Sequence, residues 1–270
     1  MEEARMSHLP SLFIAHGSPM VAVENSVYGR YLDTLGSRLP RPRAVVVFTA
    51  HWLSGAQAVS ASPAYETIHD FGGFPDVLYQ IQYPAPGDPA LAEAIQSRLA
   101  ASGVTCHLDA RRGLDHGVWT ILRRLYPDAS IPVVAMSVNP HLAPAEQFAI
   151  GQALAPLRAD EVLIIGSGAT VHNLPALDWR RQDDVPDEWA LAFETWLESR
   201  LAAWDLEALF EYRRLAPGAD RAVPPWGTEH FAPLLYAMGV AADTPAAALW
   251  HRDFQFGNLC NSVYAFGVEA

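Results

Sequence analysis

The chain contains no lysine. All 18 of its basic residues are arginine, set against 30 acidic residues for a net charge of −12. Without lysine there is no Schiff-base amine, no anchor for pyridoxal phosphate and no lysine for a phosphate-binding loop. The acidic balance argues against a nucleic-acid partner, which would want a basic patch. Cysteine is nearly absent as well. Cys106 and Cys260 are too few for a disulfide framework, and neither stands in a Cys-x-x-Cys pair. No apolar run approaches the ~18 residues of a membrane-spanning helix. The start, Met1-Glu2-Glu3-Ala4-Arg5-Met6, is acidic and lacks the apolar stretch of a secretory leader. A cytoplasmic, reducing setting with no membrane partner is the expectation.

What is present suits one sizeable core. Half of the 270 residues are apolar and 18% are charged, enough for one large α/β domain. Strand-like runs fall near 11–15, 44–50, 104–108, 131–138 and 161–166, with one or two more in 249–266. Helical periodicity falls near 26–38, 89–101, 117–125, 144–158, 187–202 and 229–238. Pro89 and Pro144 stand where helices start, and Asp88 is a good N-cap. The alternation predicts an α/β fold: a mostly parallel or mixed central sheet flanked by helices. Residues 62–88, rich in Gly, Pro and aromatics, predict a long functional loop. No repeat or linker divides the chain, so residues 1–270 are taken as a single domain.

Three apolar runs end on a histidine: Ser11-Leu12-Phe13-Ile14-Ala15-His16, the run from Val45 to His51, and the run from Val162 through Gly166-Ser167-Gly168 to His172. Ligands of open α/β sheets bind at the carboxyl ends of the strands, and imidazole is the commonest metal ligand. A metal site at that edge is the expectation. The other histidines differ in context. His8 and His141 read as surface positions, His107 and His251 as structural. His69 is either a substrate contact or a loop brace. His116 follows Asp115 at a helix start; Asp115 is a candidate cap and His116 a candidate acid/base group. Gly166-Ser167-Gly168 lacks the spacing of a nucleophile elbow, so its glycines are read as allowing close approach of a ligand. Thr228 is a candidate cap for the last helix. Glu229 and His230 are adjacent, so only one faces a site on a helix. A carboxylate would give a facial triad suited to iron(II), and a third histidine a site that also suits zinc.

Seven motifs in one order carry a family resemblance. They are His16-Gly17-Ser18-Pro19, Thr49-Ala50-His51-Trp52, His69-Asp70-Phe71-Gly72-Gly73-Phe74-Pro75, Tyr83-Pro84-Ala85-Pro86-Gly87, Asp115-His116-Gly117-Val118-Trp119, Gly166-Ser167-Gly168 with His172-Asn173-Leu174, and Glu229-His230-Phe231-Ala232-Pro233-Leu234. The chain resembles the class III extradiol ring-cleavage dioxygenases, in their 4,5-DOPA branch. The resemblance implies a single catalytic domain holding one mononuclear divalent metal, iron(II) for activity and zinc as another occupant. It implies His16, His51 and His230 as metal ligands, with Glu229 the alternative to His230. It implies His172 as the acid/base group, with coordination as a secondary role, and His116 as a contact to a substrate hydroxyl. The partners implied are a catechol and O₂. Tyr65, Phe71, Phe74, Tyr79, Tyr83, Trp119 and Trp226 are candidates for an aromatic pocket. Two other readings stand beside this one: a zinc-dependent hydrolase on the same scaffold, and a binding module without catalysis. Oligomeric state is left open.

Overall fold

The structure, a computed structural model, describes residues 8–181 and 183–268; the expectation for Met1–Met6 lies outside them. Eight strands form one mixed sheet in the order β4-β3-β5-β2-β6-β1-β8-β7. The strands are β1 (Ser11–Ala15), β2 (Ala44–Leu53), β3 (Gln57–Ser60), β4 (Cys106–Asp109), β5 (Val133–Val138), β6 (Val162–Gly168), β7 (Ala247–Gln255) and β8 (Leu259–Phe266). The helices are α1 (Val27–Arg38), α2 (Asp76–Tyr79), α3 (Pro89–Ala101), α4 (His116–Leu125), α5 (Pro144–Ala153), α6 (Glu188–Ala202), α7 (Leu206–Phe210), α8 (Tyr212–Leu215), α9 (Ala219–Ala222) and α10 (Ala232–Val240).

Strands β1, β5 and β6 are buried along their whole length, as continuous apolar runs covered on both faces should be. Successive side chains alternate between two layers. Val45 and Val47 join the core beneath α1 and α4 with Leu32, Leu122 and Ile165. Val46 and Phe48 join the opposite core with Ile95, Ile150 and Tyr236. A third cluster packs α6 and α10 against Phe13, Tyr264 and Phe266.

The three histidine-ended runs lie side by side, because β6 pairs in parallel with both β1 and β2. Ala15 is level with Gly168, and Thr49 with Ser167. His16 and His51 therefore emerge at the same carboxyl edge.

The departures from the sequence-based expectations have local causes. The run 44–50 continues to Leu53 through an irregularity in its pairing with β5, so His51 sits inside β2. The strand β3 and the short helices α2, α7, α8 and α9 were not expected; each is too short for its periodicity to show. The helix expected over 144–158 ends at Ala153 and resumes as a 3-10 turn, Ala155–Arg158, with Pro156 inside it. The helix expected over 229–238 is a 3-10 turn, Thr228–His230, followed by α10. Pro233 again falls in the first turn. Thr228 caps nothing, since the residue preceding that turn is Gly227 and no side chain bonds there. Asp88 does cap α3, accepting from the Leu91 amide at 2.9 Å.

Candidate active site

His16, His51, His116, His172 and His230 converge at the edge where β1, β2 and β6 end. The His16 ring centroid is 4.8 Å from that of His51, 5.4 Å from His116 and 5.1 Å from His230. His51 and His116 are 3.9 Å apart, and His172 stacks on His230 at 3.5 Å with 10° between planes. Two of the three strand-end residues, His16 and His51, bring their Nε2 atoms to 3.1 Å.

The late residue His230 reaches this edge because β6 has glycines there. A Cβ on Gly166 would overlap the Pro233 carbonyl, and one on Gly168 would overlap the His230 carbonyl. The Ala169 amide donates to the His230 carbonyl at 2.8 Å. These glycines admit the protein's own backbone, where the sequence had suggested a ligand.

Each ring but one is oriented by its Nδ1. His16 Nδ1 lies 3.0 Å from Ser167 Oγ, whose own hydroxyl donates to the Gly117 carbonyl; the hydroxyl oxygen is thus left to accept from Nδ1–H. His116 Nδ1 donates to Asp70 Oδ1 at 2.9 Å, and His230 Nδ1 to Glu229 Oε1 at 2.9 Å. His51 Nδ1 faces Asp70 Oδ2 at 3.4 Å. Carboxylates are acceptors only, so all four rings keep their Nε2 lone pair for something else. His172 has no ring hydrogen bond among the described residues; its amide is tied to the Ala222 carbonyl at 2.9 Å.

Four of the rings are held neutral. Burial, and then the neighbouring imidazoles, hold His16 and His230 well below the usual imidazole range. Burial and His116 push His51 down to about 3, partly opposed by Asp70. Burial and His116 bring His172 down to about 4. His51 opposite Asp70 is therefore a neutral ring facing a carboxylate, not an ion pair. Burial raises Asp70, but the two hydrogen bonds it accepts from His116 oppose this, and the carboxyl comes to about 2.

This arrangement fits a divalent metal. Two Nε2 lone pairs, one on a buried and one on a half-buried ring, facing each other at 3.1 Å repel unless a cation lies between or beside them. Metal–nitrogen bonds of ~2.1 Å would make that separation subtend roughly a right angle, as in neighbouring positions of an octahedron. Neutral imidazole is also the form that binds metal. The nitrogens and carboxylate oxygens form two close trios, His16–His51–His116 and His172–Glu229–His230.

Several expectations for single residues change. Asp115 does not cap α4 with its side chain. It is buried and accepts from Thr49 Oγ1 at 2.7 Å and Arg112 at 2.8 Å. The cap comes from Asp70, which accepts from the His116 amide at 2.9 Å. Beyond the acid in His69-Asp70-Phe71 no local signal announces this cap, because the partners are 46 residues apart. His69 braces its loop, with Nε2 3.0 Å from the Ile81 carbonyl. His107 is exposed on β4 and His141 is exposed; His251 stacks on Tyr31 at 4.3 Å. Of the aromatic candidates, Phe71 stands edge-on to His116 at 5.6 Å and contacts Phe74, Tyr79 and Trp119. Tyr65 and Tyr83 are buried braces, bonded to the Val133 and Tyr126 carbonyls. Trp226 is 78% exposed.

Residues 3–267 match the model of the catalytic LigB subunit of aromatic ring-opening dioxygenase. The chain belongs to that family. It is an extradiol ring-cleavage dioxygenase with a mixed α/β fold. It is 40% identical over 260 residues to the 4,5-DOPA dioxygenase extradiol of Beta vulgaris, spanning 95% of this chain and 96% of the relative. It is 40% identical over 237 residues to the protein of the same name from Escherichia coli strain K12, spanning 86% and 85%. The crystal structure of an uncharacterised protein from Escherichia coli K12 superposes with a TM-score of 0.80 at 33% identity, covering 96% of this chain and 100% of that one. These findings lend the zinc-hydrolase reading no support, and relatives that carry the name of an enzyme, a dioxygenase, speak against a binding module without catalysis. Among the described residues, no helix is long and apolar enough to cross a membrane.

Proposed function

We propose that this dioxygenase opens a DOPA-like catechol at the 4,5 bond, beside its two hydroxyls. Residues 1–270 act as one catalytic domain, with iron(II) as the active metal, in a reducing cytoplasm that keeps the buried thiols Cys106 and Cys260 free. The observation that carries the reading is the facing pair of His16 and His51, with Nε2 atoms 3.1 Å apart and each ring approached at Nδ1 by a protein oxygen. His230, oriented by Glu229 and about equally near both rings at 5.1 and 5.0 Å, supplies the third donor. Glu229 is then the partner behind the ligand rather than the ligand. Zinc on the same imidazoles would leave the protein folded without ring opening.

When bound, the metal supplies the electron path between the aromatic ring and O₂. The protein supplies positioning and proton movement. His172, neutral and beside His230, takes a proton from a catechol hydroxyl and returns it as the O–O bond breaks. Each such step contributes ~10²–10⁴-fold. Coordination by His172 is its secondary role. His116, whose Nδ1–H is committed to Asp70, offers Nε2 to accept from a substrate hydroxyl. Phe71 walls the site and gives an aromatic substrate an edge to pack against. Holding catechol and O₂ in one complex converts a three-body encounter into a single-complex step. Both oxygen atoms end in the product, a muconic semialdehyde.

Oxygen uptake by iron(II)-reconstituted protein with DOPA and a panel of catechols tests the reading. Uptake of one O₂ per ring with a yellow product is expected. No uptake with any catechol would overturn it.

A further inference from the structure

Asp70 comes from the irregular segment between β3 and α3, yet its carboxylate reaches two of the clustered rings. Oδ1 accepts from both Nδ1 and the amide of His116, each at 2.9 Å. Oδ2 faces His51 Nδ1 at 3.4 Å. The amide contact supplies the cap that Asp115 does not give α4. The adjacent Phe71 stands 5.6 Å from His116 and 6.2 Å from Trp119, and the Trp119 indole donates to the Ile68 carbonyl at 3.0 Å. One carboxylate therefore links the pocket wall, the start of α4 and the imidazole pair His51–His116.

We propose that Asp70 is a positioning residue. By accepting from His116 Nδ1 and facing His51 Nδ1 with its other oxygen, it favours the Nδ1–H tautomer of both rings and turns both Nε2 lone pairs inward, one toward the metal and one toward the substrate. Outer acceptors of this kind fix tautomer and ring orientation in metal sites. The contact to His116 is shorter and doubled, so the tautomer of His116 depends on Asp70 more strongly than that of His51. Seating of residues 66–75 is thereby coupled to completion of the site. The inference rests on reading His51 as a metal ligand.

Zinc, a diamagnetic stand-in for the active metal, provides the test through chelator competition and nitrogen-15 histidine NMR. Wild type, Asp70→Asn, Asp70→Ala and His16→Ala are measured. Asp70→Ala is expected to bind zinc about 10–100-fold more weakly and to lose the Nδ1–H form of His116. The near-isosteric Asp70→Asn, which keeps one acceptor oxygen, is expected to retain that form and recover part of the affinity. Wild-type affinity in both Asp70 variants would overturn the inference. So would weaker binding with an unchanged His116 tautomer, which is what a plain loop brace would give. His16→Ala separates the two levels. If it binds zinc like wild type, the metal-site reading fails and takes this inference with it. If it loses zinc while the Asp70 variants do not, the role of Asp70 alone fails.

Discussion

Four of the clustered imidazoles and the fifth are built differently. His16, His116 and His230 each have Nδ1 bonded to a protein oxygen at 2.9–3.0 Å, and His51 faces one at 3.4 Å. His172 has no ring hydrogen bond among the described residues and lies flat on His230 at 3.5 Å. A committed ring has a fixed lone pair, which is what a metal or a bound hydroxyl needs. An uncommitted ring is free to gain and lose a proton at either nitrogen. In the proposed function, this division of hydrogen bonds separates the holding groups from the proton-moving group, although all five rings share one edge of the sheet.

That division is broken most severely at His16. His16→Ala should lose the metal by a larger factor than the ~10–100-fold that outer partners cost, with activity lost in parallel; elemental analysis and oxygen uptake check it. His172→Phe keeps the stacked ring and removes the proton acceptor. It should retain the metal and lower kcat by ~10²–10⁴-fold with little change in KM. Metal loss in that variant would erase the distinction. Ser167→Ala and Glu229→Gln test the commitments themselves. Each should weaken metal binding by about 10–100-fold, the glutamine less because it keeps one acceptor oxygen.

The neutral state of His172 has a pH consequence. Its folded pKa, pushed to about 4, lies below the ordinary value, so the base form persists through neutral pH. The acid limb of kcat/KM, which reports the free enzyme, should fall well below 6.5, as protonation sets in near 4. A limb at 6.5 would place His172 in a wetter setting.

A control lies outside the site and carries the smallest effect. Glu194 is fully buried on α6; its Oε2 accepts from the Tyr264 hydroxyl at 3.1 Å, while Oε1 has no partner. Burial raises its pKa, partly opposed by polar neighbours including Thr170, Arg252 and Tyr264. Since the folded value lies above the unfolded one, its contribution to stability is complete below the unfolded pKa and is lost as pH rises through the folded pKa. Glu194→Gln should therefore gain on wild type with rising pH, by about 1 kcal/mol, as read from urea midpoints across pH. Metal affinity should not move, because an uncommitted group costs stability there and performs no chemistry.

His16 and His51 were legible because an apolar run that ends on an imidazole announces both the strand and its edge. The order of β1, β6 and β2, which makes those ends neighbours, belongs to the sheet pairing and is not written in any one run. The choice between Glu229 and His230 was not legible for a related reason. It depends on Gly166 and Gly168 letting the late 3-10 turn press onto β6, a contact that spans some sixty residues of chain. Asp70 was hidden by the same distance. Its sequence neighbours announce a loop, and only the fold brings it to His51 and His116. The short helices after α6 were missed because four or five residues carry too little periodicity to be seen.

The most direct test is an anomalous-scattering map of the metal-loaded protein. One metal is expected on Nε2 of His16, His51 and His230, with Glu229 behind His230 and Asp70 behind His116. A metal on His16, His51 and His116 with His230 turned away, or one held by a Glu229 oxygen, would contradict it.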